Sequence, residues 1–215
     1  MSNAVTFVSY NLKKNVSVPD FLLAADKMAS EFTSKQKGLI SSKLLVNEKM
    51  WADLLIWETM EDAQNNAAAC ETSAAVCEYL ACIDSKKENH LQAHFSVEKS
   101  YSDNQCGITP NAIEFSYYNL KKGASVSDFL RVSDKFNNEF LTAQKGYISR
   151  KLLVDGDMWA DFVSWETMED ILNAFSVAPK DAAASEFLSF IALNKCKSRL
   201  LSVERSYSIV KGDIL

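Results

Sequence analysis

The sequence predicts an α+β protein made of two tandem ferredoxin-like domains, each a β-α-β-β-α-β unit. Three observations predict it. The stretch from Met50 to Asp62, Met-Trp-Ala-Asp-Leu-Leu-Ile-Trp-Glu-Thr-Met-Glu-Asp, returns 108 residues later, from Met158 to Asp170, as Met-Trp-Ala-Asp-Phe-Val-Ser-Trp-Glu-Thr-Met-Glu-Asp; the two copies hold all 4 tryptophans. A period of about half the 215 residues is too long for a solenoid unit and marks a duplicated domain. Strand-like alternation and helix-like spacing then follow one another in the same order in both halves, and that order is the split βαβ pattern. Helix-start signals recur at matched places, Ser17 with Ser125 and Thr59 with Thr167. The expected boundaries are 1–102 for the first repeat, 103–111 for the linker and 112–215 for the second repeat.

Strand one covers Val5 to Leu12, with Phe7, Ser9 and Asn11 on one face and Thr6, Val8 and Tyr10 on the other. Lys13 to Asn15 form the turn. Ser17 stands three residues before Asp20, and Ser125 three before Asp128. Each serine can accept the N–H of the third helical residue, and each aspartate sits in the positive first turn. Phe21, Leu22, Ala25, Met28 and Phe32 are spaced as one helix face, repeated by Phe129, Leu130, Phe136 and Phe140. Gly38 and Gly146 are expected to end these helices at the C′ position. Strand two runs from Leu39 to Val46, a tight turn covers Asn47 to Lys49 (Asp155-Gly156-Asp157 in the second copy), and strand three runs from Met50 to Glu58. Thr59 and Thr167 are candidate N-caps of helix two. That helix is the least repeated part: rich in Ala and Cys in the first copy, carrying Phe175, Pro179, Phe187 and Phe190 in the second. Strand four covers Leu91 to Tyr101 and Ser198 to Tyr207, sharing Ser-Val-Glu at an offset of 106.

Composition excludes several function classes. Hydrophobic content of 47% with 24% charged residues is ordinary for a globular protein. A net charge of −5 argues against nucleic acid as a partner, whose binders are normally basic. No apolar run approaches the ~18 residues of a membrane span. The N-terminus lacks the charged and apolar regions of a signal peptide, so a cytoplasmic location is expected. The five cysteines, Cys70, Cys77, Cys82, Cys106 and Cys196, form no C-x-x-C pair and do not follow the repeat. They read as small buried thiols.

The β-α-β-β-α-β order, together with the Trp-Glu-Thr-Met-Glu-Asp step from strand three into helix two, resembles the dimeric α/β-barrel superfamily, and within it the antibiotic-biosynthesis-monooxygenase group. The resemblance covers nearly the whole chain. It implies that two ferredoxin-like sheets pair into one barrel; here the duplication supplies both from one chain, giving a monomer with an internal pseudo-dimer, with further homodimerisation left open. The group includes cofactor-free oxygenases acting on polycyclic aromatics, haem-degrading enzymes and lactone isomerases. The haem-degrading branch has an Asn near the end of strand one, matched by Asn11 and Asn119, and a Trp and a His on helix two, matched by nothing here. Duplicated members of the chlorite-dismutase type need a proximal His in the second half, whereas His90 and His94 both lie in the first. No haem or other cofactor is therefore expected.

Trp51, Asp53, Leu55 and Trp57 share one face of strand three, and Trp159, Asp161, Val163 and Trp165 repeat it. Two readings stay open: aromatic packing around a satisfied aspartate, or a pocket wall with Asp53 or Asp161 as a base whose pKa burial raises. Tyr10-Asn11 and Tyr118-Asn119 repeat as well, as substrate-orienting groups or as partners of strand-end backbone. The candidate site is then Asn11, Asp53, Asn119 and Asp161 for chemistry, with Tyr10, Trp51, Trp57, Tyr118, Trp159 and Trp165 binding the ligand. His90 and His94 lack further ligands, so no metal site is expected. With no Gly-rich phosphate loop, serine triad or Cys-His pair, the expected function is a cofactor-independent, monooxygenase-like action on a small apolar, aromatic molecule. The alternative is a non-catalytic ligand-binding or structural protein of the same fold. The alanines of the first helix two predict that any pocket is larger in the first half, where they leave space that Phe175, Phe187 and Phe190 fill in the second.

Overall fold

A computed structural model describes residues 3–48, 50–70, 73–84, 86, 90–102 and 108–207. Lys49, Cys106 and most of the expected linker, 103–107, lie outside the described residues. The chain forms two compact units. Unit 1 takes the chain up to Ser96 together with the stretch that begins at Glu204; unit 2 takes Val97–Val203.

Unit 1 contains β1 (Ala4–Leu12), α1 (Val18–Glu31), β2 (Leu39–Asn47), β3 (Met50–Trp57), α2 (Met60–Ala69), α3 (Ala74–Ala81), the two-residue β4 (Ile83–Asp84) and the first part of β5 (Leu91–Ser102). Its antiparallel sheet has the order β2-β3-β1-β5, with β4 against the end of β1. Unit 2 contains β6 (Ala112–Asn119), α4 (Val126–Lys135), β7 (Tyr147–Asp155), β8 (Met158–Trp165), α5 (Met168–Val177), α6 (Ala182–Ser189) and most of β9 (Lys197–Tyr207). Its antiparallel sheet has the order β7-β8-β6-β9. Among the described residues no helix is long and apolar enough to cross a membrane.

Local chemistry places the helices. Asp20 N–H donates to Ser17 Oγ at 3.2 Å and Asp128 N–H to Ser125 Oγ at 3.3 Å. At α2 the capping is reciprocal: Asp62 N–H donates to Thr59 Oγ1 at 3.1 Å while the Thr59 hydroxyl donates to Asp62 Oδ2 at 2.5 Å, and Thr167 with Asp170 repeats it at α5. Each helix then lays its apolar face on one side of its sheet, so that Tyr10, Phe21, Trp51 and Tyr79 form one core cluster and Phe129, Trp159, Phe187 and Tyr118 its counterpart.

Several expectations are corrected. Helix two is not continuous in either copy: Ser73 caps a separate α3, and Asp181 caps a separate α6 after a 3-10 turn containing Pro179. Gly38 and Gly146 do not end the first helices. Helix α1 stops at Glu31 and is followed by a 3-10 turn, and α4 runs into a π-turn over Phe136–Phe140 before its own 3-10 turn. The glycines instead sit at φ +72° and +74°, where an added Cβ would lie 2.3 Å from the Asp62 or Asp170 carboxylate. They let the capping aspartate close down on the start of β2 or β7. Gly38→Ala is therefore expected to lower stability by roughly 2–4 kcal/mol, from left-handed strain and loss of the cap, measurable by urea denaturation. The cysteines are less buried than expected: Cys77 is exposed, and Cys70, Cys82 and Cys196 are half-buried free thiols.

Candidate functional site

Strand register brings the repeated face together. In unit 1, Tyr10 pairs with Trp51 and Val8 with Asp53 across β1 and β3. Asp53, on the helix-facing side, is met by α3: the Tyr79 hydroxyl stands 3.0 and 2.9 Å from the two Asp53 oxygens and also bonds the Tyr10 hydroxyl. Burial pushes the Asp53 carboxyl up to about 7, with the Tyr79 and Tyr10 hydroxyls pulling the other way. The same burial, with Asp53 adjacent, raises both tyrosines well above the ordinary phenol range.

Asp53 and Tyr79 open onto a cavity of about 220 Å³. Its apolar walls include Met28, Phe32, Leu55 and Val76, and its polar groups include Thr6, Asn66 and His94. Thr6 Oγ1 accepts the Trp57 indole N–H at 3.0 Å and lies 2.9 Å from His94 Nδ1. Asn66 Oδ1 is buried without a hydrogen-bond partner among the described residues.

The same strand positions do something different in unit 2. Where unit 1 has Ser42, unit 2 has Arg150; where it has Tyr79, unit 2 has Phe187; where it has Thr6, unit 2 has Glu114. Arg150, fully buried, donates from Nε to Asp161 Oδ1 at 2.7 Å and from its other nitrogens to the Ser133 carbonyl and hydroxyl at 3.0 and 2.9 Å. Its guanidinium lies over Tyr101, Phe136 and Phe187, 5.1–5.3 Å from the ring centres. The Tyr118 hydroxyl donates to the other Asp161 oxygen at 2.8 Å. Asp53 thus faces its cavity with hydroxyl partners, whereas both oxygens of Asp161 are engaged, one by a cation. Unit 2 has its own cavity of about 190 Å³, so the expected inequality between halves has the expected sign and is small.

Of the residues singled out in the sequence, the structure brings Asp53 to the first cavity and Tyr118, Asp161 and Trp165 to the second. Trp51 and Trp159 pack edge-on against Phe21 and Phe129. Trp57 packs with Ala4, Leu39 and Ala63. Asn11 and Asn119 lie elsewhere: on a strand neighbouring residues face opposite sides, so each is turned away from the Tyr10 or Tyr118 beside it. Asn119 Nδ2 donates to the Asp157 carbonyl at 2.9 Å, closing the β7–β8 turn. Phe187 fills space as expected, stacking on Phe136 at 4.4 Å, whereas Phe175 is 41% exposed. Tyr79, Asn66, Glu114 and Arg150 are sites the sequence did not announce by motif. Their signal was the mismatch between copies, Ser against Arg and Thr against Glu, at positions where the flanking residues repeat.

No protein-family profile matches the chain, and no curated protein matches it in sequence. Solved structures do. An anthrone oxidase-like protein superposes with a TM-score of 0.66 at 13% identity, over 100% of this chain and 96% of that one. A candidate monooxygenase of Fusobacterium nucleatum gives 0.66 at 13%, over 96% and 94%. A ferredoxin-fold protein of Listeria monocytogenes related to antibiotic biosynthesis monooxygenases gives 0.56 at 12%, over 95% and 96%.

Proposed function

We propose that this chain, whose fold is similar to that of solved ferredoxin-fold proteins related to antibiotic biosynthesis monooxygenases, oxygenates a small aromatic molecule in the unit 1 cavity, with Asp53 as the base. The observation that supports this reading is the contrast between two equivalent carboxyls: Asp161 is paired with Arg150, while Asp53 has hydroxyls as its side-chain partners among the described residues and opens onto a cavity. A base poised near 7 is matched to proton abstraction at neutral pH. Tyr79 would keep the Asp53 carboxylate oriented.

The chemistry asks for a substrate whose carbanion reacts with dioxygen directly. An activated methylene gives its first proton to Asp53. Dioxygen adds to the carbanion to form a hydroperoxide, which loses water to leave a ketone. The methylene loses both hydrogens; one oxygen atom becomes the carbonyl and the other leaves as water. Anthrone is the first substrate to try, since its methylene is acidified by the adjoining rings and carbonyl and a protein of this fold is named anthrone oxidase-like. The test is dioxygen uptake with anthrone by the purified protein and by Asp53→Asn. Binding without turnover in the wild type would select the non-catalytic reading.

The same proposal takes the protein as cytoplasmic and as a monomer, its repeats at 1–102 and 112–215 pairing their sheets into one intrachain barrel. A short linker gives such pairing a high effective concentration. Analytical ultracentrifugation is expected to show a species that persists at the monomer mass of 24.0 kDa on dilution; an obligate dimer would count against it.

A further inference from the structure

Three side chains with oxygen at their tips meet at the Asp53 end of the unit 1 cavity, and each touches the other two. The Tyr79 hydroxyl stands 3.0 and 2.9 Å from the two Asp53 oxygens and bonds the Tyr10 hydroxyl, which in turn reaches the Asp53 carboxyl. They come from three elements: Tyr10 from β1, Asp53 from β3 and Tyr79 from α3. Phe21 packs against both tyrosine rings, with centres 6.2 Å from Tyr10 and 5.4 Å from Tyr79, which limits how far either hydroxyl can swing. Asp53 and Tyr79 line the cavity, whereas Tyr10 is fully buried and lies outside its wall. Two further groups feel the Asp53 charge: the Cys70 thiol at the end of α2 and the Tyr207 hydroxyl, which bonds Asp26.

Counting hydrogens shows what such a trio can do. With Asp53 ionised, the two phenols supply the only hydroxyl hydrogens, and both donate to the carboxylate. With Asp53 protonated, each of the three groups has one hydrogen to give and an oxygen to receive one. Asp53 then donates to Tyr79, Tyr79 to Tyr10, and Tyr10 back to the other Asp53 oxygen. The circuit closes because a phenol both donates and accepts. A guanidinium only donates, so a proton on the Asp161 oxygen that Arg150 bonds would meet a partner with no lone pair. Unit 2 also carries Phe187 at the place of Tyr79, so it cannot form the circuit.

We propose that Tyr10 and Tyr79 are positioning residues that hold Asp53 in one place, with all hydroxyls paired, whether or not it carries a proton. The use of this ring in turnover rests on the reading of Asp53 as the base of the oxygenation. Asp53 takes the first methylene proton, and the electron pair of that C–H bond stays on carbon. Asp53-H keeps the proton in the ring while dioxygen adds to the carbanion, forming the C–O bond and leaving the charge on the outer oxygen. It then returns the proton to that oxygen, and Asp53 is ionised again. The hydroperoxide loses its remaining hydrogen and the outer oxygen as water when the O–O bond breaks, so carbon is oxidised to the ketone and dioxygen is reduced. No side chain has to move between the two proton transfers.

Carbon-13 NMR titration of the Asp53 carboxyl, with labelled aspartate and the signal assigned by its loss in Asp53→Asn, tests the ring without any substrate. In Tyr10→Phe and in Tyr79→Phe the Asp53 midpoint is expected to rise by about one pH unit, a tenfold change in proton affinity, because a phenol bonds the ionised carboxylate more strongly than the neutral acid. Tyr10→Phe keeps the aromatic contact with Phe21 and lies outside the cavity, so a role in packing alone would leave the midpoint in place. Tyr79→Phe copies the residue that unit 2 carries there, and it decides the matter if Tyr10→Phe folds poorly. Tyr207→Phe, which removes a hydroxyl bonded to Asp26 instead, is expected to leave the midpoint unchanged. The pH profile of dioxygen uptake with anthrone is expected to move with the midpoint. Shifted midpoints in a protein that consumes no dioxygen would support the ring and remove the oxygenation. A midpoint that stays in place or falls in a folded Tyr10→Phe or Tyr79→Phe variant would overturn the ring, whatever the activity.

Discussion

Arg150→Met is expected to destabilise the protein by roughly 3–5 kcal/mol, among the largest effects of any single substitution in the chain. The guanidinium is fully buried against a buried carboxylate, and its attraction there stands against the desolvation of both ions. Removing it strands Asp161, leaving the Tyr118 hydroxyl as a neutral partner, and takes donors from the Ser133 carbonyl and hydroxyl. It also removes a cation from three aromatic faces. Methionine keeps the apolar stem, and a second substitution separates the loss of charge from the space the guanidinium leaves. Adding Asp161→Asn to Arg150→Met is expected to restore more than half of the lost stability in urea denaturation. A single variant that loses under about 1 kcal/mol would show that Asp161 does not depend on this cation.

Asp53→Asn is expected to lower kcat/KM for dioxygen consumption with anthrone by about 10²–10⁴-fold, the usual worth of a positioned base. The ionised form is the active one, so wild-type activity is expected to rise with pH through about 7 and level off above it. Stability should run the opposite way. A carboxyl whose pKa is 3.8 in the open chain and about 7 when folded binds a proton more tightly in the folded state. Its contribution is fully present below about 3.8 and is lost as pH rises through about 7. The loss is roughly 4 kcal/mol at most. Glu114 has the same sign in a similar window, so Asp53→Asn should reduce the pH dependence of unfolding without abolishing it. A variant with unchanged turnover, or a wild-type profile flat between pH 5 and 9, would remove Asp53 from the reaction.

What the sequence disclosed, and what it withheld, follows from the range of the forces involved. The strands, their alternation and the caps at Ser17, Thr59, Ser125 and Thr167 were legible because each depends on neighbours within a few residues. The aspartates of strand three were legible as repeated polar residues among tryptophans. Their different fates were not, because Asp53 is set by Tyr79 from a separate helix and Asp161 by Arg150 from the neighbouring strand. Asn11 and Asn119 stood out as repeated amides beside repeated tyrosines. Their alternation on the strand already placed them on the other face, and a repeated strand-end partner is preserved by duplication as faithfully as a site residue. The break in helix two was hidden in the first copy because Ser73 is a cap without a preceding glycine or proline; in the second, Pro179 marked it two residues before Asp181.

The strands β5 and β9 are each divided between units, and this sets an order on the protein's making. Unit 2 draws the Lys99 and Tyr101 contacts to Asp134 from the end of β5, so all of its chain has been synthesised once Val203 is added. Unit 1 draws the Tyr207 hydroxyl bond to Asp26 and the Ser206 bond to Lys43 from the end of β9. The half that is translated first is thus finished last. A ribosome adding about 5–20 residues per second leaves the Ser96 end of unit 1 waiting roughly 5–20 s for its final strand. During that interval Asp26 and Lys43 lack the partners that Tyr207 and Ser206 later supply.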